Sequence, residues 1–432
     1  MKMRPFQIIS LAIFGILAVG GLYFFSTYKG ISGSNSIGAI TLWGTLPAGS
    51  MQATLEDLKR THQEYSKVVY VERSAETFET DLSDALASGG GPDLVLISQE
   101  QLLANRNKLQ IIPYSSIPER TFRDSYVSMF ELFLTQTGTY GIPFAVDPLV
   151  LYYNRSVLST AGYSQPPATW EQLLGMAPTL TQKTASTINK SAIALGTYEN
   201  ISNARAIVSL LLLQSGTPIT QPSTSGFASA LTKGGATTAG VSPATSAITF
   251  YTQFADPAKV VYSWNRSLPG AQEVFLAGDS AFYIGFASEY SFLKGANPNL
   301  DFDMTAIPAP QTATEHVDYA HAYVFALPRA VKNVTGAYQV ASALASPTQS
   351  TIFSQSAGMS PALRSLVSAR TNDVNAAVYN PLTLISKGWL SPAPSVTDTI
   401  FADMINTVVS GRGTVSDALR SADSAIGAAL NR

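Results

Sequence analysis

The chain has 432 residues, a formal net charge of −2, 13% charged residues and no cysteine. The lack of cysteine excludes disulfides, thiolate catalysis, thiolate metal ligation and attachment to a membrane through an acylated N-terminal cysteine. Near-neutral charge with no basic cluster speaks against nucleic acid as a partner, and such a mild surface suits neutral polar ligands better than capture of polyanions.

Lys2 and Arg4 come first, and an uncharged apolar run then begins at Ile8 and continues through Phe25. As a helix this run is ~27 Å long, close to the hydrocarbon thickness of a bilayer. It ends in Tyr23, Phe24 and Phe25, which suit an interfacial anchor better than a small-x-small cleavage site. The positive-inside rule leaves Lys2 and Arg4 in the cytoplasm and everything after Tyr28 outside. The expectation is a single-pass anchor at the outer face of the cytoplasmic membrane. Cleavage after Gly20 or Gly21 would instead give a secreted or periplasmic protein. Residues 30–38 (GISGSNSIG) read as a short flexible tether, and the remainder is long enough for two domains.

Strand-like and helical patterns then alternate, which argues for an α/β layered architecture. Residues 39–43 and 67–71 read as strands, with Met51, Leu55, Leu58, His62 and Tyr65 on one helical face between them. A helix over residues 78–87 is ended by Gly89, Gly90, Gly91 and Pro92, and residues 93–97 (DLVLI) form an apolar run of the buried parallel type. Residues 138–154 (GTYGIPFAVDPLVLYYN) contain Pro143 and Pro148, which mark an edge or a crossing between domains and not a central strand. Thr169 and Gln172 form a capping box before a helix. Residues 221–242, rich in Ser, Thr, Gly and Ala, read as a surface loop. Further strands are expected over 281–285, 302–307 and 322–327. The tail reads as two helices, with Ile400, Met404 and Val408 on one and Val415, Leu419, Ala422 and Ile426 on the other.

Four segments in order resemble the family 1 extracellular solute-binding proteins of ABC importers, the class that includes maltose-binding proteins. These are residues 86–97 (LASGGGPDLVLI), residues 140–154 with 167–173, residues 273–285 (EVFLAGDSAFYIG) and residues 404–430. The resemblance implies a two-lobed periplasmic-binding-protein fold of type II, each lobe a sheet flanked by helices. Crossings would fall at residues 145–147, near 307–310 and around Gly358. Residues 38–146 with 311–357 would form lobe 1, and 147–310 with 358–432 lobe 2. The ligand would sit between them and be enclosed by hinge closure.

Candidate ligand contacts follow from both readings. Trp43 ends a strand where a parallel sheet presents side chains to a cleft, and it reads equally as a sugar-stacking platform or a core tryptophan. Asp147 aligns with an acidic cleft position beside the first crossing, where a carboxylate accepts charge-assisted bonds from hydroxyls. Asp93 reads first as a turn-ordering residue and second as a contact. Phe286, Glu289 and Tyr290 follow a strand at a place where the family often carries a stacking tryptophan; Ser288 there departs from a maltose-like pattern. Trp264, Tyr323 and Trp389 complete the candidate set.

No catalytic or metal site is expected. His62, His316 and His321 are the only histidines, no G-x-S-x-G occurs, and Gly89–Gly91 leads into a strand without the Lys-Ser/Thr of a phosphate loop. The sequence therefore points to a monomeric, non-enzymatic receptor without cofactor. Its expected partners are a small solute, which the resemblance to the family implies is a carbohydrate, the permease subunits of an ABC transporter, and the bilayer. A tethered ligand sensor without transport and a glycan-processing enzyme are the alternatives.

Overall fold

The computed structural model describes residues 37–184, 187–224, 226–233 and 241–431. The expected anchor and nearly all of the tether lie outside them. Among the described residues no helix is long and apolar enough to cross a membrane.

Eleven strands join in one hydrogen-bonded sheet. They are β1 (Ile40–Gly44), β2 (Val68–Glu72), β3 (Leu94–Ser98), β4 (Ile142–Asn154), β5 (Gln182–Thr184), β6 (Thr187–Ile193), β7 (Ser280–Phe286), β8 (Phe302–Thr305), β9 (Asp318–Ala326), β10 (Ser360–Pro361) and β11 (Ser386–Lys387). The main order is β2-β1-β3-β9-β4-β7-β6-β5, with β8 and β10 on β4 and β11 on β9. β1 lies parallel between β2 and β3, as the strand–helix–strand pattern requires. Helix α1 (Ala48–Thr61) links β1 to β2, and α2 (Phe78–Ala87) links β2 to β3. α1 stops one residue before His62, which is largely exposed and not part of the apolar helical face. Every residue of β3 is buried, and this is why its sequence shows no alternation.

β4 corrects one expectation. Its thirteen residues form a single strand at the centre of the sheet, prolines included. Pro143 faces Val324 beside an irregularity in the β4–β9 register. Pro148 is the last residue paired with β9, and Leu149 to Tyr153 pair with β7. Proline lacks an N–H to give, and Pro148 falls where the strand changes partners. The apolar core divides at the same place. Phe144, Ala145 and Val146 pack in the cores on either face of the β2-β1-β3-β9 half, whereas Leu149 to Tyr152 pack in the core around β6 and β7. Met359, Ala362 and Val367 also pack against the first half.

A second correction concerns residues 221–242. Part of this stretch is a hairpin, Thr220–Ser223 against Gly226–Ser229, with Phe227 packed on the apolar core of the first half; residues 225 and 234–240 lie outside the described set. β9 begins four residues before the expected start at 322. The tail forms two helices, Pro394–Val409 and Val415–Leu430, burying Ile400, Met404, Leu419, Ala422 and Ile426.

Gly196, after β6, has φ +101°, and a Cβ there would lie 2.6 Å from the Ala255 backbone nitrogen. Gly196→Ala is predicted to lower stability by about 3 kcal/mol, from the strained backbone and the steric clash together. Urea unfolding should show a lower midpoint at unchanged slope; an unshifted midpoint would contradict this geometry.

Candidate functional site: the junction of the two halves

The carboxyl end of β3 meets the segment that follows β6, where Arg205 pairs with Glu100. Helix α3 (Gln99–Asn105) starts directly after β3, because Ser98 and Gln101 form a capping box. That start places Glu100 in the first turn, only 2% exposed. Its partners come from distant elements. Arg205, near the start of α4 (Ala204–Gln214) in the second half, donates Nη2 to Glu100 Oε2 at 2.7 Å and Nε to Oε1 at 3.3 Å. Tyr319 donates its hydroxyl to Oε1 in a short bond. His321 Nε2 lies 3.3 Å from Oε2, within ion-pair range but without a hydrogen bond's alignment.

Arg205 also pairs with Asp398 in a short contact and donates to the Pro394 carbonyl at 3.2 Å. Tyr198 donates to Asp398 at 2.7 Å. Burial alone would raise the Glu100 carboxyl, but Arg205, His321 and Tyr319 together hold it well below the usual carboxylate range. Burial pulls the Arg205 guanidinium down, and the Glu100 and Asp398 carboxylates more than reverse that.

A second group lies beside it. The His321 ring stacks on Phe286 at 4.3 Å and 24°, with Tyr319 and Tyr323 edge-on at 5.8 and 6.2 Å. Asp147, at the register opposite His321, is 3% exposed. It accepts from the Ser288 N–H at 3.1 Å and from the Ser288 hydroxyl at 2.6 Å. Burial pushes its carboxyl up to about 7, against those two bonds and the nearby His321. Glu289 is fully engaged: it accepts from Phe286 N–H at 2.8 Å, Tyr283 at 2.6 Å, Asn203 at 2.8 Å and Gln272 at 2.8 Å. It therefore shapes the loop after β7 and is not an open acceptor.

The structure thus brings Asp147, Phe286, Glu289 and Tyr323 to one junction. Trp43 lies at the carboxyl end of β1, 7% exposed, with the Arg73 guanidinium 3.7 Å over its ring. The other candidates lie elsewhere. Asp93 precedes β3 at the opposite strand end, where its carboxylate accepts from the Thr41 N–H at 2.9 Å. Trp264 is wholly buried and donates to Asn200 at 3.2 Å. Trp389 is 2% exposed, donates to Ser209 at 3.0 Å and stacks on Phe401. Tyr290 packs against Phe302, ring centres 5.4 Å apart.

Sequence reasoning missed Glu100, Arg205, Asp398 and Tyr319, and weighed His321 only as a metal ligand. Two signals were present. Glu100 follows the apolar run into a capping box, and Arg205 is a lone cation in the apolar stretch ARAIVSLLLL. Among the described residues no group of three or more His, Cys, Asp or Glu is placed to hold a metal ion. The site offers charge-assisted acceptors, guanidinium donors and ring faces, which suits the binding of a hydroxylated ligand.

Two α/β halves that share a strand and meet at a polar, aromatic-lined junction define a two-lobed binding protein. Residues 53–379 match the family of bacterial extracellular solute-binding proteins, and the chain belongs to that family. No curated protein sequence matches it. Its fold is that of the cyclic alpha-maltosyl-1,6-maltose binding protein of Arthrobacter globiformis, with 17% identity, a TM-score of 0.73, and 91% of this chain and 99% of that one covered. It also matches the GacH receptor of Streptomyces glaucescens (15% identity, TM-score 0.70, 91% and 98% covered). A third match is the maltose/maltodextrin-binding domain of Bdellovibrio bacteriovorus bound to maltotriose (15% identity, TM-score 0.70, 91% and 100% covered).

Two predictions follow from the charges. Glu100→Gln leaves Arg205 short of one carboxylate and should cost about 3–5 kcal/mol in denaturant unfolding at neutral pH; a loss below ~1 kcal/mol would mean that the pair contributes little. Asp147 titrates at about 7 in the folded chain and at about 3.9 unfolded. Because the folded value is raised, its contribution falls as pH rises from about 4 to about 7. The depressed Glu100 acts only below that window, since its contribution is complete above the unfolded carboxylate value. Asp147→Asn should therefore reduce the slope of the stability–pH curve between 4 and 7, leaving the part due to the buried Asp318, whose carboxyl burial also raises; an unchanged slope would rule out Asp147 as a source.

Proposed function

We propose that this chain is an extracytoplasmic receptor that binds a carbohydrate between two lobes and delivers it, chemically unaltered, to the membrane subunits of an ABC importer. One observation carries the reading. A buried carboxylate of one half, Glu100, has its guanidinium partner, Arg205, in the other, within reach of a His321–Phe286 stack. Such groups bind hydroxyls and pyranose faces, and they sit where closing the halves would surround a ligand. The sugar ligands named for similar folds, such as maltotriose and mannobiose, support the same class.

In this reading residues 38–146 with 311–357 form lobe 1 and residues 147–310 with 358–432 form lobe 2, hinged where β4 changes partners, with the stretch 359–367 packing back on lobe 1. Asp147, Phe286 and Tyr323 line the cleft with Glu100, Arg205 and His321, and Trp43 stands at its rim. The apolar run from Ile8 through Phe25 anchors the receptor beside its transporter.

The full chain in detergent, scanned for thermal shift against sugars, phosphate esters and amines, tests the assignment. A carbohydrate at 100 times its dissociation constant should add ~2.7 kcal/mol of stability and be recovered unchanged. A shift with an amine or phosphate ester and with no carbohydrate would refute it.

A further inference from the structure

We infer that the solute is an acidic saccharide, and that Arg73 reads its carboxylate; this rests on the cleft being a carbohydrate site. Arg73 is the first residue after β2. Its N–H donates to the Gly44 carbonyl at 2.8 Å, which pins it to the carboxyl end of β1, the end of the sheet at which α3 and Glu100 also begin. Its guanidinium carbon sits over Trp43, 3.7 Å from the ring centre.

Two facts about this pair point to an anionic ligand. First, Arg73 has no carboxylate within ion-pair distance among the described residues, and its Nε is buried without a hydrogen-bond partner. The neighbouring cations are compensated: Arg205 holds Glu100 and Asp398, and Lys108 bonds Asn105 beside Glu79. A half-buried guanidinium without a partner is costly, and a ligand carboxylate would complete it. Second, the cation–π contact holds the guanidinium in place at the strand end, so its N–H groups are positioned for a carboxylate acceptor. The same contact covers Trp43, which removes that ring as an open platform for a neutral sugar. The low overall charge agrees with this arrangement, since one local guanidinium selects a carboxylate without a long-range field.

The test is calorimetric titration of the full chain with uronic-acid oligosaccharides (galacturonate, glucuronate and mannuronate trimers), with their methyl esters, and with neutral maltotriose, cellotriose and mannotriose. At least one acid should bind ten-fold or more tightly than its ester and than every neutral trimer. Arg73→Gln should remove that preference, with Arg73→Lys retaining part of it, and circular dichroism would confirm that both variants fold. A neutral trimer binding as tightly as the best acid, or an acid bound equally by Arg73→Gln, would overturn the inference and leave the carbohydrate reading standing. No saccharide of either kind binding would overturn both.

Discussion

Glu100 is a carboxylate buried in one half of the molecule whose strongest partner belongs to the other half. That constraint organises the junction. A lone carboxylate cannot be kept out of water at this depth, so Arg205 must come to it, and Asp398 must balance Arg205 in turn. The elements carrying these three groups, α3, α4 and the helix at 394–409, are thereby held in fixed relation. Tyr319 and His321 tie the same carboxylate to β9, a strand of the central sheet.

If the halves hinge as proposed, the polarity of this contact suits reversible opening. Two apolar faces would gain free energy on meeting and lose it on parting, which favours a permanently closed state. A buried ion pair exchanges solvation for attraction at little net gain, so both arrangements remain within reach of a ligand's binding energy. Asp147 and Ser288 add a similar polar contact beside the place where β4 changes partners. The Phe286–His321 stack supplies contact area without a large dry interface.

Much of the fold was legible because it is local. The unbroken apolarity of DLVLI announced a buried strand, the three glycines after Ala87 announced a helix end, and Gly411 and Gly413 announced the break in the tail. The central position of β4 was not legible, because whether a proline is tolerated depends on which backbone groups face it, and that is set by strands far away in the chain. The site was half legible for the same reason. Asp147 lies within one recognisable segment and Phe286 directly follows another. Glu100 and Arg205 become a pair only through folding, and neither residue betrays the other in sequence. Trp264 and Trp389 were candidates by residue type alone, and packing assigns both to the core of the second half.

β9 pairs with both β3 and β4, so Leu96 and Phe325 are neighbours in space but far apart in the chain. The first half cannot complete its sheet, or cover both faces of it, until residues past 320 have left the ribosome. Through most of its synthesis the chain lacks the strand that would close its first core. Closure of the first core is therefore a late, non-local step in folding.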